Sequence, residues 1–187
     1  MSTILYYNPI DDQKYERIKA IANKRNIDII EVSKEKIDYK VGYLLGLEGF
    51  DDRHKDLDKE GFDFDFILFS GFDSNELFDL IDELRENKAS VSHKAGVTEN
   101  NIHWSLRELL TENDKEAKTM GLIHKINQLV EKAVGLKEKY GEDEKIKEVI
   151  GEINSYFENS EIFEIQVAKK LYLRLLDETL RVENENK

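Results

Sequence analysis

Four times in the first stretch of this chain a short apolar run is followed by apolar residues at helical spacing, and then the runs stop. The runs are Ile4 to Tyr7 (I-L-Y-Y, closed by Asn8-Pro9), Ile27 to Val32, Phe62 to Phe69 and Ala89 to Val97. Each is short, rich in β-branched or aromatic residues and bounded by turn residues, which is the pattern of strands. Between them lie three helical stripes: Tyr15, Ile18, Ile21 and Ala22; Ile37, Val41, Leu44 and Leu45; and Leu77, Leu80, Ile81 and Leu84. Trp104, Leu106, Leu109 and Leu110 anchor a fourth. Strands that alternate with helices imply crossover connections, so the expected class is α/β. The expected architecture is a four-stranded, mostly parallel sheet with flanking helices, βαβαβαβα. The fourth strand carries Ser90, Ser92, His93 and Lys94, which mark it as an edge or a site, and its direction is left open.

From Glu112 onward the pattern is helical only. Met120, Ile123, Ile126 or Asn127, Val130 and Val134 continue a stripe that stops at Tyr140-Gly141. Ile146, Val149, Ile150, Ile153 and Phe157 mark a further helix, and Asn159-Ser160 resets the chain. Ile162, Ile165, Tyr172, Leu175, Leu176 and Leu180 mark the last helix, which is expected to fray from Val182. The domain expectation is an α/β domain over 1–115 and a helical C-terminal extension over 116–187, packed on it or on a partner.

Helix ends are signalled locally. Asp11 and Asp12 stand where a cap and a first-turn acid belong, Ser33 is an N-cap candidate, and Asn26 gives a reversal. Asp73 with Glu76, and Ser105 with Glu108, have capping-box spacing.

Composition narrows the function classes. The chain has 187 residues, 40% hydrophobic and 36% charged, with no Cys and a formal net charge of -12. That is enough apolar content for a core. Disulfides and thiolate chemistry are excluded, in keeping with a cytoplasmic location. The net charge repels phosphodiester backbones, so no nucleic-acid partner is expected. M-S-T-I-L-Y-Y-N-P lacks the features of a secretory leader, and no apolar run is long enough for a membrane span.

The segment Lys94 to Leu110, K-A-G-V-T-E-N-N-I-H-W-S-L-R-E-L-L, carries K-A-x-x-T-x-x-N-x-x-W through Lys94, Ala95, Thr98, Asn101 and Trp104. It resembles the signature of an uncharacterised bacterial family, a domain of unknown function met mostly in Firmicutes. The I-L-Y-Y-N-P start, the V-G-Y-L-L segment and the F-S-G-F after the third run are also similar, so the resemblance covers about residues 3 to 115. It implies a small bacterial α/β domain and no activity.

In open parallel sheets, ligands bind beyond the carboxyl ends of the strands. That edge would gather Asn8, Ser33, Ser70, Gly71, Ser74, Thr98 and Asn101, small polar residues beside helix starts that suit a phosphate or carboxylate. The same residues are what helix caps require. Asn8, Ser70, Gly71, Lys94, Thr98 and Asn101 form the candidate ligand set, in which Lys94 either pairs with an anion or guards a sheet edge. No G-x-G-x-x-G or P-loop is present, and no cofactor is expected. His93 and His103 lack a third ligand at diagnostic spacing, so no metal is assigned. Asp56, Asp58 and Glu60 imitate half an EF-hand, but the twelfth position is Ile67, so calcium is rejected. Asp63 and Asp65 alternate with Phe and read as the polar side of a strand. Trp104 is expected to fasten its helix to the sheet. No catalytic residue is assigned. The leading expectation is a non-catalytic interaction or regulatory module, with a protein partner or self-association through the C-terminal helices. The alternative is binding or turnover of a small anionic molecule at the strand ends.

Overall fold

A computed structural model describes residues 2–52, 54, 60–158 and 163–186. The EF-hand-like residues Asp56 and Asp58, and the reset at Asn159-Ser160 with Ile162, lie outside the described residues. The chain divides into two compact units, Met1–Lys115 and Glu116–Lys187.

The first unit is built on a four-stranded sheet of β1 (Thr3–Tyr7), β2 (Asp28–Val32), β3 (Phe66–Ser70) and β4 (His93–Gly96), in the order β2-β1-β3-β4. β1 pairs with β2 and β3 with β4 in parallel, but the central pair, β1 with β3, is antiparallel. The sheet is therefore mixed. Its reversal lies in the middle, between two parallel crossover units, and the fourth strand runs parallel to its neighbour.

Both faces of the sheet are covered, which is why β1 and β3 are apolar at nearly every position. Ile4, Tyr6, Ile67 and Phe69 point to α1 (Asp12–Lys24) and α3 (Ser74–Glu86), where Ile18, Ile21, Leu80 and Leu84 meet them. Leu5, Tyr7, Phe66 and Leu68 point to the other side, against Ile37, Val41, Leu106, Leu109 and Leu110. Residues one apart in a strand thus belong to different cores.

The second helical stripe does not form one helix. Residues 34–36 make a 3₁₀ turn, and only Val41–Leu44 (α2) is α-helical. The reason is tertiary: residues 37–41 pair with the stretch before and at the start of α4 (Leu106–Tyr140). Val41 N donates to Trp104 O (2.9 Å), Leu106 N to Tyr39 O (2.9 Å) and Arg107 N to Ile37 O (2.8 Å). These bonds hold residues 37–40 in turns and a single bridge, Lys40 with Ser105, in place of a continuous helix. The third run is likewise shorter than its pattern. β3 begins at Phe66, and Phe62 and Phe64 instead lean on the Leu5–Tyr7 core.

The second unit takes α4 from residue 116 onward together with α5 (Glu144–Glu158) and α6 (Ile165–Glu185). Its core is Leu122, Ile126, Leu129, Ala133 and Leu136 against Ile146, Val149, Ile153, Ala168, Leu171, Leu175 and Val182. Two expectations change here. Met120 and Val134 are not on the buried stripe but 58% and 50% exposed. Val182 does not fray: it is buried, and α6 continues to Glu185. Gly141 adopts φ 92 and ends α4, the left-handed conformation glycine takes without a Cβ penalty. Among the described residues, no helix is long and apolar enough to cross a membrane.

Candidate functional site

The antiparallel centre of the sheet divides the candidate ligand set. Tyr7 lies beside Phe66 and Thr3 beside Ser70, so β1 and β2 end where β3 and β4 begin. Asn8 and Ser33 belong to one end of the sheet. Ser70, Gly71, Ser74, Thr98 and Asn101 follow strand ends at the other. A ligand touching both groups across one carboxyl edge, as in a fully parallel sheet, has no counterpart in this topology.

At the first end, Asn8 sits at φ 48, a left-handed conformation that Asn tolerates better than most residues. Its backbone N–H donates to Val32 O (3.1 Å), and Nδ2 donates to Phe62 O and Phe64 O, both at 3.3 Å. The side chain thus laces the β1 exit to the chain entering β3. Tyr7 Oη donates to Phe62 O (3.1 Å) and accepts from Phe62 N (3.0 Å). A Cβ at Gly61 would stand 2.9 Å from that hydroxyl, so the close approach uses the glycine.

Beside them lies a polar cluster that the sequence pattern did not reveal. Tyr6 Oη donates to Asp65 Oδ2 (2.9 Å), and Lys14 Nζ meets the same oxygen at 2.5 Å. Asp65 is only 7% exposed. Burial first, then the Asp65 hydrogen bond, drives the Tyr6 hydroxyl far above its ordinary range. Tyr15 packs edge-on against Tyr6 (5.3 Å) and donates to Glu31 Oε2 (2.8 Å). Burial and that bond push it up to about 12. Through Tyr15–Glu31 and Lys14–Asp65, α1 is tied to β2 and to the chain entering β3. Asp63, read as a strand-mate of Asp65, turns instead to solvent and pairs with Lys34 (2.7 Å). The two carboxylates separate because residues 62–65 are not strand.

At the second end, Thr98 and Asn101 bond each other. Thr98 N donates to Asn101 Oδ1 (2.8 Å), Asn101 N donates to Thr98 Oγ1 (3.1 Å), and Asn101 Nδ2 donates to Gly96 O (2.9 Å). The Thr-x-x-Asn spacing is thus a closed turn after β4. Gly71, at φ 77, accepts from Ser2 Oγ (3.1 Å) through its carbonyl. Lys94 lies on the edge strand and donates from Nζ to Val91 O (3.1 Å).

Trp104 does not fasten α4 to the sheet. It is 38% exposed, and Leu106, Leu109 and Leu110 do the fastening. A second feature without a sequence signal stands here: Arg107 and Asp38, 69 positions apart, form a buried two-pronged pair, Nε to Oδ1 at 2.5 Å and Nη2 to Oδ2 at 3.0 Å. Arg107 Nη1 also donates to Glu60 O (2.9 Å). The Asp38 hydrogen bond raises the guanidinium further above its ordinary value.

The two histidines considered for metal pack on different rings. His93 stacks on Phe64 (3.9 Å) and stands 3.9 Å from Asp114, whereas His103 meets Phe50 (5.2 Å). Among the described residues, no group of three or more His, Cys, Asp or Glu is arranged to hold a metal ion.

Comparison with the curated proteins and with the solved structures finds no match. Residues 65–120 match the sequence profile of a family described as a domain of unknown function (DUF3783), which takes in β3, α3, β4, the Thr98–Asn101 turn and the start of α4.

Proposed function

We propose that the protein is a non-catalytic interaction module that self-associates through its helical unit. The observation that carries this reading is on α6. Leu173 and Leu180, seven positions apart, are 54% and 44% exposed, and Leu176 between them is only partly buried. A leucine seam spaced in this way suits a paired helix. The sheet unit lends support, because Asn8, Asp38, Asp65, Thr98 and Asn101 are occupied in bonds within the fold. The alternative, a small anion held at the strand ends, has less to stand on: Asn8 and Thr98 lie at opposite ends, and Thr98 and Asn101 bond each other.

Sedimentation of the full chain over a range of concentrations tests the reading. A dimer is expected, and Leu173→Glu with Leu180→Glu should return it to monomer with its helix content intact. The net charge of -12 makes two copies repel, so added salt should tighten the dimer. A wild-type chain that stays monomeric throughout, at low and high salt, rules the reading out.

A further inference from the structure

The exposed leucines of α6, Leu173 and Leu180, have a different border on each side. Residues three or four apart on a helix are neighbours on its surface. Lys170 and Asp177 therefore follow one side of the seam: Lys170 stands three positions before Leu173, and Asp177 four after Leu173 and three before Leu180. Lys169 and Leu176 follow the other side. Lys169, Lys170 and Asp177 are exposed, and among the described residues none of the three forms an ion pair. Other charges of α6 are committed within the unit: Arg174 to Glu152, Arg181 to Asp143, Glu178 and Glu185, and Glu183 to Lys132. The free charges thus border the apolar seam itself, with two cations towards its N-terminal end and an acid two turns further on.

We propose that a second copy of the chain docks on this seam with its α6 antiparallel. The inference rests on the self-association reading and adds the geometry of the pair. A twofold axis crossing the pair between Leu173 and Leu176 sets the leucines of the two copies against one another and lays like borders side by side. Lys170 of each copy then meets Asp177 of the other, and the stem of Lys169 covers Leu180 of the other. In a parallel pair, unlike borders adjoin at the same height. Lys170 of each copy would meet Lys169 of the other, and Asp177 would face Leu176. Charges that flank an apolar seam set the orientation of paired helices. Here the antiparallel pair joins two free cations to two free acids, where the parallel pair makes two like-charge contacts.

The chain has no cysteine, so one introduced thiol carries a single spin label per copy. Gln166→Cys and Asn184→Cys, labelled separately in the full chain, place the label near opposite ends of the seam. With a rise of about 1.5 Å per residue and about 8–10 Å between helix axes, electron paramagnetic resonance should read label separations of about 25–30 Å at both positions for an antiparallel pair, and about 10 Å at both for a parallel one. Sedimentation then reads the charges. Lys170→Asp should weaken the dimer about fivefold or more, and Lys170→Asp combined with Asp177→Lys should restore it. In a parallel pair Lys170→Asp would instead tighten the dimer, by meeting Lys169. Circular dichroism checks that each variant keeps its helix content. Short separations at both positions overturn the antiparallel geometry while the leucine seam stands, and so does a dimer that Lys170→Asp tightens or leaves unchanged, or that the double exchange does not restore. A chain that stays monomeric, with no separation between copies to read, fails the self-association reading and this proposal with it.

Discussion

The two units spend their polar groups in opposite ways. In the sheet unit, some charged and hydroxyl side chains are drawn inward: Asp38 is joined to Arg107 and Asp65 to Tyr6, all four buried, with Lys14 half-buried beside Asp65. In the helical unit the ion pairs lie outside. Arg174–Glu152, Lys132–Glu183 and the Arg181 cluster with Asp143, Glu178 and Glu185 are all at least partly exposed. A sheet covered on both faces has strand exits and loops that must cross its ends, and their backbone groups need partners. A helix satisfies its own backbone, so side-chain charges can remain in water and only apolar residues need to face inward. The sheet unit is thus held by specific long-range polar links, and the helical unit by apolar stripes with room left for exposed leucines.

Breaking the Asp38–Arg107 pair tests this contrast most severely. Arg107→Ala leaves a buried carboxylate unpaired and should cost about 3–5 kcal/mol. Urea unfolding followed by the fluorescence of Trp104, the single Trp, reports on the sheet unit directly. Tyr6→Phe is expected to be milder, about 1–3 kcal/mol, because Asp65 loses one hydrogen bond but keeps Lys14. Asp73→Ala removes the cap of α3, whose side chain accepts from Glu76 N (2.9 Å) while Glu76 returns the bond to Asp73 N, and should cost about 1 kcal/mol. The matching change in the helical unit, Arg174→Ala, breaks an exposed, solvent-screened pair and should cost far less than Arg107→Ala by thermal unfolding followed by circular dichroism. A loss at Arg174 as large as that at Arg107 would erase the distinction between the units.

Acid sharpens the comparison. The Arg181 hydrogen bond, then the Ile146 N–H, holds the Asp143 carboxyl below its ordinary value of 3.8. A carboxyl lowered in the folded state contributes stability that is fully present above its unfolded value and is lost as pH falls through the lower folded value. The helical unit should therefore lose stability below about pH 4, and Asp143→Asn should flatten that acid limb of a melting-temperature profile. Arg181 remains charged throughout and sets no limb of its own.

Local signals were legible without tertiary structure. Asp11 caps α1 through Lys14 N (3.0 Å), and Asp73 with Glu76 and Ser105 with Glu108 form their boxes. Asn26 turns at φ 55, and Gly141 closes α4. Each depends on residues a few positions apart, whose geometry the backbone enforces. The mixed α/β class and the change to all-helix in the later part of the chain followed from periodicity in the same way. What failed was what depended on distant partners. The stripe from Ile37 to Leu45 was helical in spacing, but backbone bonds from residues 104–107 hold it open. Trp104 was the natural anchor by size, yet the helix starts two residues later and its leucines take that place. The α4 stripe was misplaced because Met120 and Val134 are apolar but face solvent, and hydrophobicity alone does not say which of two adjacent faces a neighbour covers.

The site expectation shows the same division. The Thr98-x-x-Asn101 turn is a matter of three positions and stood in the sequence. Whether it shares an edge with Asn8 depends on the direction of β3 against β1, and that is decided by packing. The sequence by itself determined most of the elements and the caps at Asp11, Asp73 and Ser105, because these arise from side chains acting on their own few neighbours. Only the tertiary structure decided the antiparallel centre of the sheet and the joining of Asp38 to Arg107 and Asp65 to Tyr6, because nothing in one strand's pattern records the direction or the charge of the chain that packs beside it.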